Sequence, residues 1–381
     1  MSYFDNNATT PVHPLALEAL SKASAEDWRN PSSPYRFASR TKAKLEIARK
    51  SWAEALGVAP EDFLFCSGAT ESNNWVIASA AQANQSTAPI YLSSVEHPSI
   101  SEPAQFWFGK RVAVMSNNSK GVVCLDSFAE QLKSGPLPAL VCVMAANNES
   151  GVVQPWMELA KLCSEYNVPF HCDATQWVGK MPISDLRFCS SFTASAHKFG
   201  GPKGVGWLVD QNFNRMQVGG SQERGRRAGT ENFPSIMAMG KAWEQSQSNY
   251  KSIPKHALWR DHFEKEVLLQ ISGTRIIGRN TDRLWNTSLL LMPRFDNLKW
   301  VSKLDTLGFE VSTGSACSSG STTLSATAAS FGLDLSEAKY LLRISSYFGH
   351  TEKDWISLGE AMVEAYEQMK SENTNSNIIS L

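Results

Sequence analysis

Apolar runs of strand length alternate along this chain with segments whose apolar positions recur at helical spacing. Phe37, Thr41, Leu45, Ala48, Trp52 and Leu56 fall on one helical face, Arg40, Lys44 and Lys50 fall on others, and Gly57 and Pro60 supply a stop. A short β run follows at 63–66, then Ser67-Gly68 and a new helix from near Thr70. Further strand-length runs lie at 90–92, 112–115, 140–145, 168–172, 192–194 and 205–209, most of them separated by helix-length segments such as 156–166. Parallel strands need a crossover, usually a helix, so this alternation predicts a mainly parallel α/β sheet with helices on both faces.

The pattern changes in the last third. Residues 243–271 read as mostly helical with an interruption near Pro254, and beyond them shorter strand candidates (288–291, 309–312, 342–345) alternate with amphipathic helices. A smaller α+β domain is therefore expected, with the large domain over 14–250 and the small one over 251–381. The tail from Ser371 is polar and is expected to fray.

Composition narrows the function classes. The chain has 381 residues, 42% of them hydrophobic and 19% charged, enough for a substantial core in one large or two ordinary domains. A net charge of -1 offers no global basic field for nucleic acid, and the basic stretch 224–227 is local. Seven cysteines without a CxxC or His/Cys ligand spacing argue against a disulfide framework or a structural zinc, and for a reducing compartment. With no secretory signal at the start and no run of roughly 20 apolar residues, the expectation is a cytoplasmic protein without membrane spans. No GxGxxG or GxxxxGK[ST] follows a suitable strand, which weighs against a nucleotide-binding protein.

The candidate chemistry centres on Lys198, in SAHKFGGPKG (195–204), and on Asp173, which ends the apolar run in FHCDATQ (170–176). A lysine flanked by a hydroxyl, an imidazole and glycines suits an amine that forms a Schiff base while its neighbours hold an anion. Alone, it also reads as a solvated turn residue. An ionised carboxylate ending a buried strand needs a partner, such as a protonated pyridine nitrogen, unless it caps the next helix. Gly68 before a helix start offers free N–H groups and a positive dipole end to an anion, with Thr70 as hydroxyl donor, or else is a plain cap. His97 follows a strand and has a reference pKa near 6.5, Asn148 also fits an Asx-type turn, and Arg343 on an apolar strand needs an anion, either a ligand or a structural partner. Cys317 sits in the hydroxyl-rich STGSACSSGS, unlike Cys66, Cys142, Cys163, Cys172 and Cys189, which lie in strand or helix runs typical of buried, inert thiols. Cys124 is uninformative.

The motifs GATESNN (68–74), EHPS (96–99), NNESG (147–151), DATQ (173–176), SAHK (195–198), QERGRRAGTEN (222–232) and GSAC (314–317) occur in that order. From about Phe4 to about Asp354 the chain resembles the cysteine desulfurases, pyridoxal 5'-phosphate (PLP) enzymes of the class V aminotransferase group, in the branch that supplies sulfur for iron–sulfur cluster assembly. The resemblance implies a PLP-dependent transferase of fold type I: a mainly parallel central sheet sandwiched by helices, plus a smaller α+β domain on which residues 1–13 pack. It implies a homodimer that takes sulfur from L-cysteine, leaves L-alanine, and passes a persulfide on Cys317 to an acceptor or scaffold protein. By the same resemblance Lys198 carries PLP as a Schiff base and Asp173 pairs the pyridine nitrogen. Gln176 reaches the ring's phenolic oxygen, and His97 stacks on the ring and is a candidate proton-transfer group. Ala69 belongs to the cofactor site; Thr70, Ser195 and His197 bind the phosphate, as does Thr230 from the neighbouring subunit, with 222–232 at the dimer interface. Asn148 contacts cofactor or substrate, and Arg343 holds the substrate α-carboxylate. A selenocysteine lyase or another PLP-dependent lyase or aminotransferase is the alternative, and a non-catalytic assembly partner that kept the fold is a remoter one, against which the set Lys198, Asp173, His97 and Cys317 argues. One departure stands out: the family often follows the cysteine with a Leu-Glu-Pro-Ser-like helix start, whereas this chain reads STTLSATAAS (321–330), which bears on loop excursion and acceptor docking.

Overall fold

The computed structural model describes residues 1–83, 87–211, 215, 217–314 and 324–378, the last six as backbone. The first strand is β1 (Ser2–Tyr3). The main sheet takes the next seven: β2 (Phe63–Cys66), β3 (Ile90–Leu92), β4 (Val112–Val114), β5 (Leu140–Cys142), β6 (Phe170–Asp173), β7 (Ser191–Ser195) and β8 (Gly206–Asp210). Their spatial order is β2-β8-β7-β6-β5-β3-β4, and only β8 runs against its neighbours. Central strands are buried at every position, which explains why they read as continuous apolar runs and not as alternation. β4 lies at the edge, with Val114 exposed.

A second sheet is antiparallel. It is built from β9 (Arg275–Ile277), β10 (Thr287–Leu291), β12 (Ser312–Thr313) and β13 (Leu341–Ser345) in the order β12-β13-β10-β9, while β11 (Phe309–Glu310) pairs in parallel with β1. Phe263, Val267, Trp300, Trp355, Leu358 and Met362 form the apolar layer beneath it, and Phe4 joins them from the N-terminus.

The helix expected from Phe37 runs Arg36–Leu56 and ends on Gly57 at φ 67°, a left-handed stop that costs glycine little. The interruption near Pro254 separates helices Phe233–Ser248 and Ile253–Gln270, with the proline in the first turn of the second, where its missing N–H breaks no helical bond. The tail is a correction: the last helix, Glu352–Ile378, continues through the polar segment, and Glu372 meets Lys303 at 2.7 Å and Lys299 at 3.8 Å. Polar composition predicted fraying; the register of the last helix brings Glu372 against two lysines of the helix Asn297–Thr306. No helix among the described residues is long and apolar enough to cross a membrane.

Candidate active site

Strand ends of the main sheet, the N-terminal segment and β13 enclose a cavity of about 640 Å³. Ala69, Thr70, His97, Asn148, Asp173, Gln176, Ser195, His197, Lys198 and Arg343 all line it. Parallel strands open such clefts at their carboxyl ends, where Asp173 ends β6 and Lys198 follows β7 in a short 3-10 turn.

Asp173 is 6% exposed, and each of its oxygens accepts one hydrogen bond. No helix follows it. Its Oδ1 accepts from the Thr175 N–H at 2.9 Å, an Asx turn, and Oδ2 accepts from Asn73 Nδ2 at 2.9 Å. Behind Asn73 runs an ordered relay. The Ser191 hydroxyl and His171 Nδ1 are 2.8 Å apart, and His171 Nε2 donates to Asn73 Oδ1 at 2.9 Å. Burial pushes the His171 pKa down to about 4, so its imidazole is neutral, as one donor and one acceptor require.

The Lys198 amine donates to the carbonyls of Asn7 and Ala8 at 2.7 and 2.8 Å. At the start of helix Ala69–Ala83, the Ala69 N–H donates to Ser195 Oγ at 2.8 Å, which leaves the Ser195 hydroxyl proton for another acceptor. Gly68 sits tight against it: a Cβ there would come within 3.2 Å of Ser195 Oγ. His197 Nδ1 is 3.2 Å from Thr9 Oγ1, and its pKa falls to about 4, chiefly through burial, with Lys198 and Lys203 adding.

His97 is the N-cap of helix Pro98–Phe108, not a plain turn residue; its Nδ1 accepts from the Ser99 N–H at 3.1 Å, so the neutral ring carries its proton on Nε2. Burial lowers its pKa, opposed by the charge of Asp173 and aided by that of Lys198. Asn147, not Asn148, makes the Asx turn, its Oδ1 accepting from the N–H groups of Glu149 and Ser150.

Arg343 is buried in β13 and already paired. Nη2 reaches Asp5 at 2.5 Å and Nη1 donates to the Asn148 carbonyl at 3.1 Å, while Nε has no partner among the described residues. The structural reading of this arginine holds, and the guanidinium still faces the cavity.

Thr230 is not in this cavity. It is exposed and lines a separate cleft with Ser67, Glu223 and Arg227. The basic stretch beside it is tied down by hydrogen bonds: Arg224 donates to the Pro60 carbonyl, Arg226 to that of Glu61, and Arg227 pairs with Glu71 at 2.8 Å. Cys317 lies outside the described residues.

A model of the family described as "Aminotransferase class-V" matches residues 2–356. The chain belongs to the class-V aminotransferase family. Among curated relatives, the "Cysteine desulfurase IscS" of Dictyoglomus turgidum is 38% identical over 327 residues, covering 84% of this chain and 82% of that one. Among solved structures, a NifS-like protein from Rickettsia africae superposes with a TM-score of 0.85 at 30% identity, over 96% of this chain and 99% of that one. A structure titled "SspA in complex with cysteine" gives 0.76 at 27% identity, over 91% and 98%.

Several residues in and behind the cavity of this class-V member escape a linear reading. Glu96 and Glu149 stood inside the EHPS and NNESG motifs, flanked by apolar runs, which was the available signal. Burial raises Glu96 to about 8, although Met144 N–H (2.7 Å) and the Ser93 hydroxyl donate to it, and raises Glu149 to about 7 despite Ser325 at 3.0 Å. Asp5, Asn7 and Lys180 carried no local signal, because each acts through partners far along the chain.

Proposed function

We propose that this protein is a homodimeric, PLP-dependent L-cysteine desulfurase that releases L-alanine and hands sulfur, as a persulfide on Cys317, to an acceptor or scaffold protein of iron–sulfur cluster assembly or thiolation. The observation that carries the reading is one cavity holding an amine on a turn (Lys198), a buried strand-end carboxylate (Asp173), a neutral imidazole (His97) and a helix start beside Ser195, faced by Arg343. This donor set fits PLP. Asp173 would pair the ring nitrogen, Lys198 would carry the carbonyl carbon, and Thr70, Ser195, His197 and the N–H groups of helix Ala69–Ala83 would hold the phosphate. When bound, PLP supplies the electron sink that makes the substrate's Cα acidic and its Cβ–S bond cleavable.

The chain's own groups then divide the work. Lys198 Nζ moves the Cα proton, because His97 keeps its proton on Nε2 and is a donor and stacking ring, not a base, in this state. The Arg343 guanidinium, with one N–H of each Nη engaged by Asn148 and Asp5, keeps further N–H groups for the substrate α-carboxylate. Cys317 attacks the substrate sulfur as thiolate, a role it takes from the GSAC motif. The exposed Thr230, outside its own chain's cavity, suits service to a partner's phosphate site. The cysteines described are all unpaired, which fits a reducing compartment such as the cytoplasm.

The test is incubation of the PLP-loaded protein with L-cysteine, following alanine, sulfide and protein-bound sulfur. Alanine with one added sulfur on the Cys317 peptide is expected, and Cys317→Ser should abolish both while cofactor binding persists. Pyruvate and ammonia in place of alanine would mark a β-eliminating lyase and sink the reading.

A further inference from the structure

Lys180 is a buried amine beside the half-buried Lys198, and the reaction described above does not use it. It is 5% exposed and makes no ion pair among the described residues. The charges bearing on it, Lys198 and Arg343, are both positive, and burial is the largest of the effects that hold its pKa well below the ordinary 10.5. Lys180 Nζ donates to two amide oxygens: Gln176 Oε1, and Asn7 Oδ1 at 2.8 Å. Asn7 in turn joins the two lysines, since its carbonyl accepts from Lys198 Nζ at 2.7 Å. That same carbonyl accepts from Gln176 Nε2 at 2.9 Å. The Gln176 amide is thus held at both ends. Flipped, it would set Oε1 against the Asn7 carbonyl oxygen and point its NH2 group at an amine that needs an acceptor.

We propose that Lys180 is a positioning residue: with Asn7 it locks the Gln176 amide so that the remaining Nε2 proton is offered to the cavity, as a donor to an anionic ring oxygen there. The proposal rests on the PLP reading, in which Gln176 meets the phenolic oxygen. Removing Lys180 leaves Gln176 Oε1 without its buried donor, while Asn7 Oδ1 keeps only Asn286 Nδ2 at 3.1 Å, so the Gln176 amide loses its fixed orientation and the ring oxygen loses its donor. The ring oxygen then holds more tightly the proton it shares with the Lys198 nitrogen.

The experiment is a spectrophotometric pH titration of the visible band of the Lys198-bound cofactor, which needs no turnover. Lys180→Met, nearly the same length without donors, should move the midpoint upward by about one pH unit, the size of one hydrogen bond. Gln176→Met should move it by a similar amount, and the double variant no further, because one residue acts through the other. Lys180→Gln, which keeps donors, should recover part of the shift and covers the case in which the methionine variant fails to fold. An unmoved midpoint in the Lys180 variants, or shifts that add in the double variant, would overturn the proposal. A parent protein that gives no visible band with PLP would instead overturn the cofactor reading beneath it.

Discussion

On the main-sheet wall of the cavity, the functional groups sit at strand ends and in the turns just after them: Asp173 closes β6 and Lys198 follows β7. On the opposite wall Arg343 lies mid-strand in β13 and is met by Asp5, 338 residues away in sequence. The first wall presents groups whose own bonds hold them in place yet leave them chemistry to do. The second presents a charge largely spent on the fold. Substitutions on the first wall should therefore remove turnover, and substitutions on the second should change how well substrate is held.

The largest effect is expected at Lys198. Lys198→Ala should lower alanine formation by roughly 10³-fold or more, with the fold intact, as removal of an essential proton-transfer and covalent group does. Parental turnover in that variant would shift the amine's role, with Lys180 the nearest candidate. Asp173→Asn comes next. The new amide nitrogen would face Asn73 Nδ2, donor against donor, and the charge opposite a pyridinium would be gone. A loss of about 10²-fold in kcat/KM, with weaker PLP retention, is expected; an unchanged kcat/KM would mean that nothing cationic sits there.

The wall difference is sharpened by Arg343→Lys. A point charge cannot keep the Asp5 and Asn148 contacts and also offer a planar N–H face to a carboxylate, so the KM for L-cysteine should rise about tenfold, the equivalent of one charge-assisted hydrogen bond, with kcat much less affected. A fall in kcat at constant KM would assign Arg343 to the chemistry and erase the contrast between the walls.

What could be read in advance follows the same division. Strands β2 and β3 match the apolar runs residue for residue, because strands buried on both faces leave an unbroken apolar signature. The strand-end residues were legible because motif and element coincide in a few neighbouring positions. Asp5, Asn7 and Lys180 were not, since a polar side chain's partner is set by the tertiary fold and leaves no period in the sequence. The relay behind Asp173 is intermediate: Asn73 and His171 stood within the quoted segments 68–74 and 170–176, but only β6 beside helix Ala69–Ala83 joins them.

The smallest effect tests the first wall without touching its chemistry. Glu96 is buried, its Oε2 has no hydrogen-bond partner among the described residues, and burial raises its pKa from 4.5 to about 8. The folded state therefore keeps a proton that the unfolded chain releases. Such a group contributes stability that is fully present below about 4.5 and lost as pH rises through about 8, at no more than about 1.4 kcal/mol per pH unit. His171 and His350, each pushed down to about 4, act in the opposite sense, since their contribution is present above 6.5 and lost as pH falls toward 4. The whole-protein curve mixes both signs, so the informative quantity is a difference. Glu96→Gln imitates the protonated acid and cannot ionise. Its Tm should match the parent's near pH 4.5 and exceed it by a growing margin up to pH 8. Melting curves that stay parallel across that range would mean that Glu96 is ionised in the folded protein and has found a cationic partner.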